Sequence, residues 1–142
     1  MNDIAWEIAH SVDANVSPAF AWTYMTNVAN WNDPPAKFEL YGPFTAGSRG
    51  MTRTPGQEPR HWHVRDVSPM NSYTLEMAID GAAMSFEWRF EGLADGGTRL
   101  TQHIVLRGEN AAAYVAQVQS AFTSSLAAGM NKIAAAMERA LI

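Results

Sequence analysis

Residues 60–107 read RHWHVRDVSPMNSYTLEMAIDGAAMSFEWRFEGLADGGTRLTQHIVLR. Apolar side chains occupy every second position in four runs of this stretch, which is the period of strands with one buried face. Three turn sequences separate the runs, and they are Ser68-Pro69-Met70-Asn71, Asp80-Gly81 and Asp95-Gly96-Gly97. The stretch therefore predicts a meander of four antiparallel strands.

Three more strands are predicted before this meander. The first spans Ile4–Val12, and its two-residue period places His10 on the same face as the apolar side chains. Runs around Phe38–Leu40 and Met51–Arg53 predict the second and third strands. Two short helical segments are expected between the first and second strands.

The first of these segments begins at Ser17-Pro18, since a serine oxygen accepts from the free N–H groups of a first turn and proline is tolerated there. It is expected to end near Asn27. A second helical turn follows and stops before Pro34-Pro35.

The C-terminal stretch from about Ala111 to Leu141 predicts one long helix with Asn110 as its N-cap. Apolar residues recur at intervals of three or four, and they include Met130 and Ile133. A helix that follows a meander packs across the concave face of that sheet. The predicted fold is α+β: a curved seven-stranded antiparallel sheet wrapped around a long C-terminal helix, in a single domain of residues 1–142.

Composition excludes several classes of protein. A chain of 142 residues, 47% of them hydrophobic, has the size of one domain with one core. No run approaches the roughly 20 apolar residues of a membrane helix, and Met1-Asn2-Asp3-Ile4 is not typical of a signal peptide, so we expect a cytoplasmic protein. The chain has no cysteine for disulfides, thiolate catalysis or zinc binding, and its net charge of −4 argues against a nucleic-acid partner.

A basic span interrupts this acidic balance, and it comprises Arg49, Arg53, Arg60, His61, His63 and Arg65. We interpret it as a solvated strand face, with docking of an anionic group as the alternative. If Trp62 and Val64 face the core, the histidines on either side of Trp62 face solvent. No third ligand stands at a suitable spacing. We therefore predict neither a metal nor a cofactor.

Two polar residues are predicted to face the interior. His10 lies among apolar neighbours on the first strand, and Gln102 does so on the last strand. Buried polar groups need partners, which here are either a ligand hydroxyl or carbonyl, or each other, the backbone or water. If the protein is an enzyme, His10 is the first candidate for general acid/base, supported by Gln102 or Tyr73.

Large side chains at inward positions predict an aromatic wall, formed by Trp6, Trp62, Met77, Phe86 and Trp88. Each aromatic ring buries some 150–250 Å² and offers a flat surface for stacking. The same side chains also suit a solid core, because large inward residues fill a cavity as readily as they line one.

The order of these elements resembles the Bet v 1-like (START/SRPBCC, helix-grip) superfamily, in particular bacterial proteins described as polyketide cyclase/dehydrase-like. The segments that carry the resemblance are residues 12–18, 27–31, 42–48, 62–69 and 96–101. They are turn and packing signatures, which are specific for the fold and poor indicators of function. The resemblance implies a cavity between sheet and helix for lipids, sterols, polyketides or aromatic hormones, and it makes Trp31 with Pro34-Pro35 a mouth or lid.

We therefore predict a protein that binds an apolar or aromatic small molecule without covalent chemistry. Its predicted ligand-binding residues are Trp6, His10, Trp31, Trp62, Met77, Phe86, Trp88, Gln102, Met130 and Ile133. One alternative is a polyketide cyclase/dehydratase-like enzyme that uses proton transfer. The other is a protein-interaction module that acts through the C-terminal helix, because this helix carries few charges. A second copy of the chain, in a homodimer, is one partner for such a helix.

Overall fold

The computed structural model describes residues 4–31 and 33–141. The N-terminal residues 1–3, on which the signal-peptide prediction draws, lie outside the described residues, as does Asn32 of the predicted turn. No helix of the described residues is both long and apolar enough to cross a bilayer.

Seven strands and three α-helices are present in the described residues. The strands are β1 (Ile4–Ala14), β2 (Lys37–Tyr41), β3 (Arg49–Arg53), β4 (Arg60–Ser68), β5 (Ser72–Ile79), β6 (Ala82–Gly92) and β7 (Thr98–Arg107). The helices are α1 (Pro18–Met25), α2 (Val115–Phe122) and α3 (Leu126–Ala140), and single 3-10 turns span Val28–Asn30 and Ala111–Tyr114. The predicted α+β class and strand number are confirmed.

The strands form one antiparallel sheet in the order β1-β7-β6-β5-β4-β3-β2. From β2 to β7 the chain runs as a meander, and β1 adds to the far side of β7. The β4–β5 ladder contains a register shift between Val64 and Asp66. Val64 and Val67 therefore both face the core, although strict alternation would place them on opposite faces of the sheet. This irregularity leaves Arg65 and Asp66 exposed on the outer face.

Helix α1 begins as the sequence predicts. The hydroxyl oxygen of Ser17 accepts from the backbone N–H of Phe20 at 3.1 Å, and Pro18 occupies the first turn. Beyond α1, the expected second helix is only the 3-10 turn Val28–Asn30. The two short helices predicted between the first two strands are thus one helix and one turn.

The predicted long C-terminal helix is present as α3, but it begins at Leu126 and does not extend back to Ala111 without interruption. A 3-10 turn opens the segment, and residues 123–125 separate α2 from α3. The hydroxyl of Ser125 donates to the carbonyl of Ala121 at 2.7 Å, a local bond by which serine competes with the helical pattern. Serine and threonine also have low helix propensity, so consecutive residues of this type weaken the helix here.

Asn110 is not the predicted side-chain cap. Its side-chain amide donates to the carbonyl of Asp80 at 3.3 Å and makes no hydrogen bond to the first turn of the segment. The hydroxyl of Tyr114 donates to the same carbonyl at 2.9 Å. These bonds fasten the start of the C-terminal segment to the β5–β6 turn.

Helix α3 packs mainly along β1 and closes one half of the interior. Met130 and Met137 of α3 are fully buried, and near its end Glu138 accepts from the backbone N–H of Asn15 at 2.7 Å. Fully buried strand residues below include Leu100, Ile104 and Leu106. These side chains belong to the buried core beneath α3.

A close approach between β3 and β4 fixes the position of one tryptophan. Gly50 and Trp62 are register partners, and the indole lies so near Gly50 that an added Cβ would overlap its six-membered ring. The indole N–H donates to the hydroxyl of Thr52 at 3.0 Å. Glycine at position 50 is thus required by the space that Trp62 occupies.

Replacement of Gly50 by alanine should lower the free energy of unfolding by about 1–3 kcal/mol, because an overpacked core forces side chains and backbone to shift. Gly129→Ala is the matched control: its added Cβ meets no atom within 4 Å, and alanine in a helix should raise stability by about 0.5–1 kcal/mol. Urea unfolding of both variants checks this. Equal effects of the two substitutions would contradict the packing of Trp62 on Gly50.

Candidate functional site

The core-facing side of β5 and β6 carries an apolar patch that is only partly covered. Leu75 and Phe86 are register partners, and Met77 lies beside them on the same face. Across from the sheet, Phe122 of α2 meets Phe86 edge-on with ring centroids 6.0 Å apart. All four side chains are half-buried. We give the name α2 cleft to this set of half-buried side chains, Leu75, Met77, Phe86 and Phe122.

Helix α2 covers this cleft loosely. Of its eight residues only Val118 is buried, whereas α3 buries four of its fifteen.

A row of core-facing residues borders the cleft on the side of α1. The register pairs His10 with Gln102, Gln102 with Trp88, and Trp88 with Tyr73, across β1, β7, β6 and β5. Trp88 and Tyr73 are buried, while His10 and Gln102 are half-buried. The row is therefore polar and accessible at one end, and aromatic and closed at the other.

The structure places the two predicted candidates, His10 and Gln102, next to each other. They lie directly opposite each other, a position in which Cα atoms are about 4.5–5.5 Å apart. Neither side chain has a hydrogen-bond partner among the described residues. Arg107 Nε is the one fully buried unpaired side-chain nitrogen or oxygen there, so the polar atoms of His10 and Gln102 remain within reach of solvent.

Tyr73 lies away from this pair. Three strand spacings of about 4.8 Å separate it from His10, roughly 14 Å in all. Its ring is buried against Phe44, Trp22 and Phe90, with centroid distances of 4.9, 6.1 and 6.0 Å. Burial raises the pKa of the Tyr73 phenol far above its ordinary value. Tyr73 is therefore not a direct partner for a proton transfer that begins at His10.

The predicted aromatic wall is divided rather than continuous. Trp62 packs against Trp31 with ring centroids 5.5 Å apart, at the β2–β4 side of the sheet. Trp31 also meets Phe38 and Phe44 edge-on. Trp88, in contrast, lies in the buried middle of the sheet, and Trp6 is half-buried on the edge strand β1. The three tryptophans of the predicted aromatic wall thus occupy separate places.

Trp31 is firmly held at its position. Its indole N–H donates to the carbonyl of Met25 at 2.8 Å, and Asn30 donates to the carbonyl of Tyr24 at 3.0 Å. These bonds cap the end of α1 and fix the turn that follows. Whether this turn acts as a mouth or lid stays a prediction.

The sequence reading missed one part of the interior. Trp22 and Phe44 belong to the aromatic cluster around Tyr73, yet neither was a candidate. Trp22 lies in α1, whose apolar residues show no helical period, and Phe44 lies in a bend. Phe122 fits the spacing of three or four among the C-terminal apolar residues, but no pattern in the sequence identifies Phe86 as its partner.

Most of the basic span lies on the outer face, where several of its cations have partners. Arg65 contacts Asp66 and Glu76, both at 3.1 Å, and Arg53 contacts Glu39 at 3.2 Å. His61 and His63 lie on this face, away from the core. Within residues 4–31 and 33–141 no three histidine, aspartate or glutamate side chains are placed to hold a metal.

Two surface pockets among the described residues lie outside the predicted site. One, of about 310 Å³, opens at the β3–β4 loop, with Lys37 and Arg53 in its wall. The other, of about 200 Å³, lies near Asp13 and Glu138. Neither contains a predicted ligand-binding residue. Met130 and Ile133, predicted to face a ligand from the helix, are fully buried and half-buried respectively.

Solved structures with similar folds support this architecture. Norcoclaurine synthase from Thalictrum flavum, in complex with dopamine and hydroxybenzaldehyde, is 14% identical over 99% of this chain and 87% of its own, with a TM-score of 0.73. The Zhui aromatase/cyclase from a Streptomyces species is 17% identical over 96% of both chains, with a TM-score of 0.71. A protein of Mesorhizobium loti gives 0.76 at 11% identity, over 94% of this chain and 98% of its own. At these identities the likeness shows the fold.

A seven-stranded antiparallel sheet with a C-terminal helical segment packed on one face defines a helix-grip protein of the Bet v 1-like class. The chain belongs to the polyketide cyclase/dehydrase and lipid transport family, whose model matches residues 5–138. The predicted resemblance is thereby confirmed. No curated protein sequence matches the chain. Membership of this family supports hydrophobic ligand binding or a cyclase function in general terms.

Stability at alkaline pH should report the burial of Tyr73. Its pKa is raised in the folded state, so above about pH 10 the unfolded chain releases a proton that the folded chain keeps, and stability falls as pH rises. The loss approaches about 1.4 kcal/mol per pH unit for one group. Tyr73→Phe should remove this part of the loss.

Urea unfolding at pH 8 and pH 11 measures the difference, with Tyr24→Phe as a matched substitution at a half-buried position. Parallel losses in the parent protein and Tyr73→Phe would mean that the phenol is open to solvent.

Proposed function

We propose that this protein binds an apolar or aromatic small molecule, such as a lipid, a polyketide or a hormone-like compound, in the α2 cleft. The observation that carries the proposal is the set of four half-buried apolar side chains, three on β5–β6 and one on α2, in which Phe122 of α2 meets Phe86 of the sheet. Apolar surface left partly in water favours a ligand that covers it, at roughly 25 cal/mol per Å² of area removed from water.

The position of the cleft supports the proposal. Small-molecule sites are concave and mostly apolar, with a few polar groups that fix orientation. Here Leu75, Met77 and Phe86 supply the apolar wall, and His10 with Gln102 supplies two accessible polar groups one or two strands away. The family's description, which includes lipid transport and polyketide cyclisation, agrees with a ligand of this kind.

Tryptophan fluorescence can follow a titration with naphthalene derivatives, a medium-chain fatty acid and a sterol. We expect saturable binding by at least one of these probes. Met77→Gln should weaken it about five- to twentyfold, because an amide in contact with an apolar ligand loses hydrogen bonds to water.

Met51→Gln is the matched control, since Met51 is half-buried on the outer face of β3 and lies outside the core cluster. It should leave affinity unchanged. An absence of saturable binding across the panel, or equal losses in the two variants, would refute a ligand site in the α2 cleft.

A second candidate function is an enzyme of the polyketide cyclase/dehydratase type. The accessible, unpaired His10 beside Gln102 favours it, because a general base needs a free ring nitrogen within hydrogen-bond reach of its substrate. Gln102 is then the residue that orients the reacting oxygen. Tyr73 is too distant from His10 to share the same proton.

His10→Ala separates the two candidates. For an enzyme, turnover of a polyketide-like substrate should fall by about 10²–10⁴-fold while affinity changes little, because the imidazole moves a proton only during the reaction. If the protein only binds its ligand, neither the parent protein nor His10→Ala turns the substrate over. The comparison requires kinetics and equilibrium binding on the same preparation, and turnover unchanged in His10→Ala would exclude His10 as the base.

A further inference from the structure

We infer that His10 and Gln102 recognise a neutral oxygen, a hydroxyl or a carbonyl, on a ligand whose remaining skeleton is apolar or aromatic. The inference rests on the proposed function and narrows its ligand class. The inference specifies the end of the ligand that faces β1 and β7 and the chemical group at that end.

The first argument is convergence. His10 and Gln102 are directly opposite on neighbouring antiparallel strands, and both face the core. Side chains at such positions have Cβ atoms about 4.5–5.5 Å apart. Two polar groups at this separation reach the same atom, or two neighbouring atoms, of a molecule that lies above them.

The second argument is the chemistry of the surroundings. Both residues lie among apolar side chains of the same face, and these are Ile8, Val12, Trp88, Leu100 and Ile104. A charged ligand group would lose its hydration here and find no opposite charge among these neighbours. A carboxamide carries both a donor and an acceptor, and so does a neutral imidazole. The pair therefore matches a hydroxyl, which donates and accepts, or a carbonyl, which accepts twice.

The third argument is that the hydrogen-bonding capacity of the pair is unused. Neither side chain bonds to a described residue, although each is half-buried. Their polar atoms are nevertheless within reach of solvent, so water satisfies them in the free protein. A ligand oxygen that replaces this water restores the same hydrogen bonds while its skeleton covers apolar surface.

The fourth argument concerns the direction of the skeleton. Along the row of the pair, Trp88 and Tyr73 are buried, whereas Phe86 in the next row is half-buried. One row away, Ile104 pairs with Phe86, which borders the α2 cleft. The step from Gln102 to Phe86 is a diagonal one between neighbouring strands, about 7–8 Å. A bicyclic aromatic skeleton covers this distance, with its oxygen at the pair and its rings on Phe86.

Two naphthalenes of equal shape test the inference: 2-naphthol carries a hydroxyl where 2-methylnaphthalene carries a methyl group. Equilibrium dialysis measures their dissociation constants for the parent protein and for His10→Leu, Gln102→Met and the double variant. We expect the preference for 2-naphthol over 2-methylnaphthalene to fall about tenfold in the double variant, as two net hydrogen bonds are lost. Affinity for 2-methylnaphthalene should stay the same or rise.

His61→Leu and Gln119→Met repeat these substitutions at exposed positions outside the cleft and should not alter the preference. Variants that weaken both compounds by the same factor would show a structural role for the pair and overturn the inference. An unchanged preference would also overturn the inference. The proposal of a ligand site in the α2 cleft would remain in that case. If the parent protein binds neither naphthalene nor any other probe of the panel, the proposed function fails as well.

Discussion

Pairing between β1 and β7 is the interaction on which the rest of this molecule depends. It joins the first strand of the chain to the last, across ten matched positions from Ile4 to Ala14. Thr98 donates to the carbonyl of Val16 at 2.8 Å, and Arg99 contacts Asp13 at the same distance. A slip of one residue would turn every side chain of β1 to the opposite face. His10 would then leave the interior, and the edge against which α3 packs would be lost.

This pairing also explains why the interior has two unequal halves. Helix α3 lies along β1, where Met130 and Met137 are buried, and the ring of Tyr73 is buried near α1 against Trp22. The turn before α2 is bonded to the carbonyl of Asp80, and Phe122 of α2 touches Phe86 at its edge. One half thus provides stability through close packing. The other half keeps apolar surface partly exposed, and the proposed ligand occupies that side.

The sequence was sufficient to predict the side of each strand that faces the core. Alternation is a local property, so the inward positions of His10 and Gln102 followed from their own strands. Their pairing is a matter of register between strands 90 residues apart, which no local pattern specifies. The same limit applies to Trp62, whose inward direction was predictable but whose contact with Trp31 depends on where α1 docks. The interruption at Ser125 was missed because the apolar period continues through it.

The interruption between α2 and α3 separates the segment that borders the proposed ligand site from the segment that holds the core. Because α2 buries a single residue and α3 holds the main core, substitutions on the inner side of α2 alter cleft width at little expense in folding free energy. Under the proposed function, substitutions in α2 can therefore change ligand preference without disturbing the packing of α3 on β1. In such a scaffold, recognition and foldability are encoded in adjacent but separable segments of one chain.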